Sequence, residues 1–458
     1  MFILKEIMTI DIIILAAGKG TRMKSKLPKV MHQIDGQSML ARVINTAKTL
    51  KPKKIISVIG YGADVIKEQF ENDPTLVFAL QEKQLGTGHA VQQAIPFLSE
   101  EYSLILYGDV PLISQSLLEQ LVQSSIAGIG LITFEKENPA GYGRIVRHGG
   151  EIKKITEEKD CSPSEKQIKE INTGIMCIKT DLLINWLEKI DNKNAQQEYY
   201  LTDIIALAVS DKIKVGHVLA KQEHEIQGVN SVSELIYLER IVLQDKAKQL
   251  IEAGVRIQDP SRIDIRGELI CEEGVTIDIG CIFEGKVILK KNVSVGPYNI
   301  IKDTTIDESS QLQAFNHIDT AQIGKQCKIG PYARLRPGSE LNQDVHLGNF
   351  VETKNTKIDD YSKVNHLSYI GDSQIGKNVN VGAGTITCNY DGANKHLTRV
   401  EDDVFIGSDT QLIAPVTIKK GSTIGAGSTI TKDTEADKLT ISRAKQVTIA
   451  NWNRPKKK

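Results

Sequence analysis

The sequence predicts an α/β domain, Rossmann-like with a doubly wound mixed sheet, followed by a linker helix and a parallel β-helix. Three observations carry that prediction. Up to about residue 230 apolar strand-like runs alternate with helical stretches; residues 229–254 change to one polar segment spotted with Leu and Ile; and from Leu269 an aliphatic residue returns at every sixth position. Alternating strand and helix give a sheet covered on both faces. Period six gives coils that bury their aliphatics only by stacking on one another.

In the first part, strands are predicted at residues 11–15, 54–59, 104–107, 129–133 and 174–178, with Gly-, Pro- and Asp-bearing loops after several of them. In an open α/β sheet the ligand crevice lies outside the carboxyl ends of the strands, so chemistry is expected in those loops. The polar segment reads as one helix: Ser231 and Glu234 are spaced as a capping box and Gly254 stops it. Roughly 20 residues at ~1.5 Å each make a rod of about 30 Å, enough to hold two domains apart. The predicted boundaries are therefore 1–232, 233–253 and 254–458. In the last part the repeating positions are Leu269, Val275, Cys281, Val287 and Val293; Ile300, Ile306, Leu312 and Ile318; Ile323, Ile329, Leu335, Leu341 and Leu347; Ile375 and Val381; and Ile406, Leu412, Ile418, Ile424 and Ile430. A β-sandwich would instead need period two and hairpin turns.

At 458 residues the chain exceeds an ordinary single domain. Lys+Arg and Asp+Glu both total 57, so no global field favours nucleic acid or an anionic membrane, and phosphate binding must be local. The apolar run at residues 10–17 contains Asp11 and is far shorter than the roughly 20 residues that span a bilayer. The first eight residues lack a long apolar core before a small-residue cleavage site, which makes the cytoplasm the expected compartment. Cys161, Cys177, Cys271, Cys281, Cys327 and Cys388 are dispersed, without a C-x-x-C pair or a His at zinc-finger spacing, and are expected to be reduced thiols.

The string Leu15-Ala16-Ala17-Gly18-Lys19-Gly20-Thr21-Arg22-Met23 follows the first strand, and Leu27-Pro28-Lys29-Val30 comes shortly after. Small residues let backbone N–H groups approach a nucleotide, while Arg22 and Lys29 supply charge where a triphosphate must be neutralised. The loop fails the Walker A spacing, and Met23 replaces the third glycine of a dinucleotide fingerprint. Downstream come Gln81, Leu85-Gly86-Thr87-Gly88 and the strand-terminal Tyr107-Gly108-Asp109. These strings resemble sugar-1-phosphate nucleotidyltransferases. Gly141-Tyr142-Gly143-Arg144, Glu157, Asn172-Thr173-Gly174 and Gly228-Val229-Asn230 resemble one branch of them, the bifunctional N-acetylglucosamine-1-phosphate uridyltransferases and glucosamine-1-phosphate acetyltransferases. The resemblance implies that Asp109 and Asn230 hold Mg2+, and that Leu15, Ala16, Ala17, Gly18, Lys29, Gln81, Gly86, Thr87, Tyr107, Gly108 and Asp109 bind UTP. It further implies that Gly143, Glu157, Asn172 and Asn230 hold the sugar. The attacking phosphate oxygen is already anionic, so uridylyl transfer is expected to rest on alignment and on neutralisation by Mg2+, Arg22 and Lys29.

The second half carries its own polar cluster. Acyl transfer from a thioester to an amine needs a base, an oxyanion site and, for a sugar phosphate, an anion clamp. Arg334-Leu335-Arg336 and Lys354 offer the clamp, and His366 in Asn365-His366-Leu367-Ser368-Tyr369 has an imidazole suited to the base role. Asn380 and the run Gly382-Ala383-Gly384-Thr385-Ile386-Thr387-Cys388-Asn389-Tyr390-Asp391-Gly392 follow within a few coils. These strings resemble the acetyltransferase half of the same branch, with Ser368 where relatives carry Thr. The resemblance implies a left-handed β-helix, Arg336 and Lys354 on the phosphate, Tyr369 and Asn380 on the sugar, and His366 deprotonating the 2-amino group. Asn389 would help orient that site, Ala383, Asn389, Tyr390, Ser408, Ala426 and Arg443 would line acetyl-CoA, and Ser408 with a backbone N–H near Ala383 would hold the oxyanion. Residues 391–395 break the six-residue rhythm and are expected to leave the helix as a loop. The basic tail at residues 454–458 reads as a solvated terminus.

The resemblance thus implies an enzyme that acetylates glucosamine 1-phosphate with acetyl-CoA and then uridylylates the product with UTP and Mg2+. A cytoplasmic homotrimer with acyl sites between protomers is implied, with neither nucleic acid nor membrane insertion. Two other readings exist: a β-helix that is only structural, as in ADP-glucose pyrophosphorylases, and a non-catalytic binding protein like the translation exchange-factor subunits. The polar cluster around His366 and Asn389 argues against the first, and Arg22, Lys29 and Asp109 against the second.

Overall fold

The computed structural model describes residues 8–457. The leader reading falls mostly on earlier residues, and the final lysine of the basic tail also lies outside the described residues. The chain divides into two compact units, Met1–Arg240 and Ile241–Lys458.

The first unit is built on β1 (Ile10–Ala16), β2 (Ile55–Ile59), β3 (Leu76–Leu80), β4 (Tyr102–Tyr107), β5 (Ile129–Glu135), β6 (Arg144–His148), β7 (Glu151–Thr156), β8 (Glu170–Lys179) and β9 (Val215–Leu219). They form one sheet in the order β9-β5-β8-β4-β1-β2-β3, with the β6–β7 hairpin attached to β8. β1 pairs in parallel with β2 and β4, while β8 runs antiparallel between β4 and β5, so the sheet is mixed. Within β1, Ile12 and Ile14 enter one apolar core and Ile13 another. A strand buried on both faces reads as a continuous apolar run, which is why β1 was legible. All five predicted strands form. The edge strands β3 and β9 and the β6–β7 hairpin were not predicted; β9 buries only Val215 and so leaves no such run.

A helix spans Val232–Glu252. Its start has the expected reciprocal cap: the Ser231 N–H donates to Glu234 Oε2 at 3.0 Å and the Glu234 N–H to Ser231 Oγ at 3.3 Å. Gly254, at φ 96°, ends it in the left-handed region.

In the second unit short parallel strands stack coil upon coil, with partners 17 or 18 residues apart. The column Ile300, His317, Arg334, Glu352, Tyr369, Ile386 shows the register. Ile306, Leu312, Ile318, Ile329, Leu335, Leu341 and Leu347 share one continuous core. One predicted core position is wrong. Ile300 is 37% exposed and Ile301 is buried in its place, because coils of 17 residues shorten one face and a strict count of six slips by one. Pairing then jumps from Ile386 to Gln411 and from Ser373 to Thr398, so the chain between leaves the coil as expected. A bridge between Tyr390 and Lys395 closes that loop.

The six cysteines are unpaired. Burial pushes Cys177 and Cys271 up to about 12, which makes them packing residues rather than nucleophiles. No helix among the described residues is long and apolar enough to cross a membrane.

Candidate active sites

The carboxyl ends of β1, β3 and β4 open on a pocket of ≈ 300 Å³ lined by Leu15, Ala16, Ala17, Gly18, Lys29, Gln81, Gly86, Thr87, Tyr107 and Asp109. Ten of the predicted nucleotide residues therefore share one wall, at the crevice where an open α/β sheet places ligands. Val30, Gln84, Ala90 and Glu198 complete it. Glu198 had no signal in the sequence, since it lies far from every motif and reaches the pocket through tertiary structure. Gly86 sits at φ 115°, and a Cβ there would lie 2.6 Å from the Tyr199 carbonyl oxygen, so only glycine fits. Arg22 does not line the pocket; it stands exposed on a short 3-10 turn, Thr21–Met23. Gly108, just beyond β4, is also off the wall, packed among Ala16, Val30 and Leu40.

Lys29, Asp109 and Asn230 converge. The Lys29 ammonium pairs with Asp109 and donates to Asn230 Oδ1 at 3.1 Å. The Val229 N–H donates to the Asp109 carbonyl at 2.9 Å, tying the loop that carries Asn230 to the end of β4. A carboxylate and a carboxamide oxygen thus already meet on one positive charge, a donor set of hard oxygens that suits Mg2+. No group of three or more His, Cys, Asp or Glu side chains that could hold a metal occurs among the described residues. Such a site would rely on water and phosphate oxygens for its remaining ligands.

Beside this centre, the Asn172 N–H donates to the Gly143 carbonyl at 2.8 Å, and Asn172 Oδ1 accepts from the Gly174 N–H at 3.0 Å. Glu157 Oε1 accepts from the Thr202 hydroxyl at 3.0 Å. Burial raises the Glu157 carboxyl above its ordinary range, the Thr202 bond opposes this, and Asp203, Asp160 and Glu198 add to it. Burial likewise raises Asp203, to about 6, with help from Asp191 and Asp160.

On the β-helix, Arg336 lies in ion-pair range of Glu352 at 3.0 Å. Lys354 is lowered from its ordinary value chiefly by contact with Lys395 and also by Arg336. Three cations crowded together are a place for an anion such as phosphate. Sequence reasoning missed Lys395, whose approach depends on the inserted loop folding back. His366 Nδ1 lies 2.9 Å from Asn349 Oδ1, one coil below. With the oxygen accepting, the ring carries its proton on Nδ1 and keeps a lone pair on Nε2. Asn389 is buried, donates to the Asp372 carboxylate, and lies 3.5 Å from the Tyr369 hydroxyl. Asn380, half-buried, pairs in register with Lys363 and Phe405. Ala383, Ser408 and Ala426 occupy one corner of successive coils: the Asp409 N–H donates to the Ala383 carbonyl at 2.7 Å, the Gly427 N–H to the Ser408 carbonyl at 2.8 Å, and Arg443 Nη1 to the Ala426 carbonyl at 2.6 Å. Tyr390 stands apart in the loop, its hydroxyl donating to the Gly392 carbonyl.

Residues 12–150 match the MobA-like NTP transferase domain, and residues 397–432 match the bacterial transferase hexapeptide, six repeats. The chain is 53% identical to the bifunctional protein GlmU of Cupriavidus pinatubonensis, over 98% of this chain and 99% of that one. It is 53% identical to the GlmU of Nitrosospira multiformis, over 98% of each chain, and 51% identical to that of Nitrosomonas eutropha, over 98% and 99%. At half identity across nearly the whole of both chains, this chain belongs to the bifunctional GlmU family, enzymes of UDP-N-acetylglucosamine biosynthesis that join a nucleotidyltransferase to a hexapeptide acetyltransferase.

Proposed function

We propose that residues 254–458 acetylate glucosamine 1-phosphate with acetyl-CoA and residues 1–232 then transfer UMP from UTP to the N-acetylglucosamine 1-phosphate formed, with residues 233–253 as the linker. The observation that carries this reading is that the chain holds two separate polar centres of different chemistry. One offers hard oxygens and a lysine to a nucleotide, the other three cations and a histidine to an amino sugar phosphate.

In the second centre Arg336, Lys354 and Lys395 clamp the phosphate, and Tyr369 and Asn380 hold the sugar. His366 Nε2 removes a proton from the 2-amino group as its nitrogen attacks the thioester carbonyl, and the coenzyme A thiol departs. Asn389 orients that site, Ala383, Tyr390, Ser408, Ala426 and Arg443 line acetyl-CoA, and Ser408 with the N–H near Ala383 receives the oxyanion. In the first centre Asp109 and Asn230 hold Mg2+, which when bound supplies positive charge to the phosphates. Lys29 and Arg22 neutralise the leaving pyrophosphate, Gln81 and Gly86 read the base, and Gly143, Glu157 and Asn172 bind the sugar.

We assign the protein to the cytoplasm, in keeping with six free thiols, and to a homotrimer. At one corner of the coils Tyr298, Phe315, Tyr332 and Phe350 stack in an exposed ladder, with ring centres 5.2, 5.1 and 5.5 Å apart. Solvent-facing aromatics in a continuous strip support burial against another protomer.

The test gives the purified protein glucosamine 1-phosphate, acetyl-CoA, UTP and Mg2+, and follows coenzyme A thiol and pyrophosphate with each component omitted in turn. Pyrophosphate that depends on acetyl-CoA supports the reading. Pyrophosphate only from supplied N-acetylglucosamine 1-phosphate, without thiol release, would reduce the β-helix to a structural module.

A further inference from the structure

Gln81 follows β3, is 3% exposed and lines the nucleotide pocket. Its side-chain nitrogen has two protons, and both are committed. Nε2 donates to the Gly86 carbonyl at 3.2 Å and lies 3.0 Å from His89 Nδ1. A carbonyl oxygen only accepts, so the Gly86 contact fixes which end of the carboxamide is nitrogen. His89 Nδ1 must then present a lone pair, which puts the ring proton on Nε2. In that tautomer the 3.4 Å approach of Gln93 Nε2 to His89 Nε2 is a contact between two donors and not a hydrogen bond, and the Gln93 amide donates instead to the His89 backbone carbonyl at 3.0 Å. The Gly86 side of the arrangement is rigid: the Gly88 N–H donates to the Tyr199 carbonyl and the Tyr199 N–H to the Leu85 carbonyl, both at 2.8 Å.

With both N–H groups spent, Gln81 has only the acceptor Oε1 to offer a ligand. A uracil ring carries a donor at N3, whereas cytosine carries a bare acceptor there. We infer that His89 is a positioning residue for base selection: by engaging the second Gln81 proton it makes Gln81 an acceptor-only reader and so favours UTP over CTP. Without His89 the carboxamide has a spare N–H and freedom to rotate, and its nitrogen can face the cytosine acceptor. This inference rests on the uridylyl-transfer reading above and adds the residue that sets its base preference.

The test compares kcat/KM for UTP and for CTP, with N-acetylglucosamine 1-phosphate as acceptor, in the unmodified protein, His89→Leu and His89→Asn. Asparagine restores an acceptor near the position of Nδ1, and leucine does not. The UTP-to-CTP ratio should fall about tenfold in His89→Leu and stay within about twofold in His89→Asn, as expected for losing one part-buried hydrogen bond. An equal ratio in all three proteins overturns the inference, even if overall activity drops. If His89→Leu does not fold, the unmodified protein still decides: UTP methylated at N3 should bind at least about tenfold more weakly than UTP, and equal affinity overturns the acceptor-only reading of Gln81. A chain that forms no pyrophosphate from UTP would instead defeat the uridylyl-transfer reading itself.

Discussion

The two units assemble their polar centres in opposite ways. In the α/β unit, Lys29 meets Asp109 from 80 residues away and Asn230 from 201 residues away, so the order of strands decides which groups meet. In the β-helix, His366 meets Asn349, and Asp372 meets both Asn355 and Asn389, each at a distance of 17 residues. There the repeat length alone decides. A loop insertion in the first unit is a local event, and in the β-helix coils of 17 and 18 residues keep one register because the difference is taken up within a coil. The insertion at residues 389–396 is likewise taken up locally, since pairing resumes in register at Thr398.

If the two centres are chemically separate, each can be disabled without the other. The largest effect expected is from His366→Ala, which should lower acetyl transfer by about 10²–10⁴-fold and leave pyrophosphate release from supplied N-acetylglucosamine 1-phosphate unchanged. Asp109→Ala should do the reverse, cutting uridylyl transfer by about 10²–10³-fold with acetyl transfer intact. Coenzyme A thiol and pyrophosphate assays check both.

Leu335→Ala, in the continuous β-helix core, should cost about 2–5 kcal/mol in thermal or denaturant unfolding. Ile300→Ala, on the exposed side of its strand, should stay within about 0.5 kcal/mol and so confirm the slipped register. Lys395→Ala should raise KM for glucosamine 1-phosphate about tenfold while kcat changes little, since only the anion clamp is weakened.

Asp203 gives a pH test in the other unit. Its carboxyl is raised to about 6 in the fold, so the folded state holds its proton more tightly than the unfolded chain. Stability is therefore favoured at low pH and lost as pH rises from the ordinary carboxylate range toward 6. Asp203→Asn should stabilise the protein above pH 6 by about 1 kcal/mol, discounted for partial exposure, and give no gain near pH 4. Denaturant melts at the two pH values check it.

What the sequence revealed follows the same division. Period six exposed the β-helix core and the departing loop, and it failed at Ile300 because coil length is 17 or 18 residues rather than a fixed multiple of six. In the α/β unit the fully buried strands were legible, and ten motif residues gather in one pocket. Residues outside the recognised strings were missed: Glu198 and Thr202 come from a segment with no motif, His89 follows Gly88 as the third residue of its helix and carries no signal of its own, and Lys395 depends on a loop folding back. Arg22 shows the converse, since its motif is plain and its side chain stands outside the pocket wall.

The most direct test of two independent sites in one chain is complementation. Asp109→Ala and His366→Ala proteins, each supplied with glucosamine 1-phosphate, acetyl-CoA, UTP and Mg2+, should separately form almost no UDP-N-acetylglucosamine. Mixed, they should form it at a rate that grows with both concentrations, because the acetylated intermediate passes from one protein to the other. A mixture no more active than its components would contradict the account.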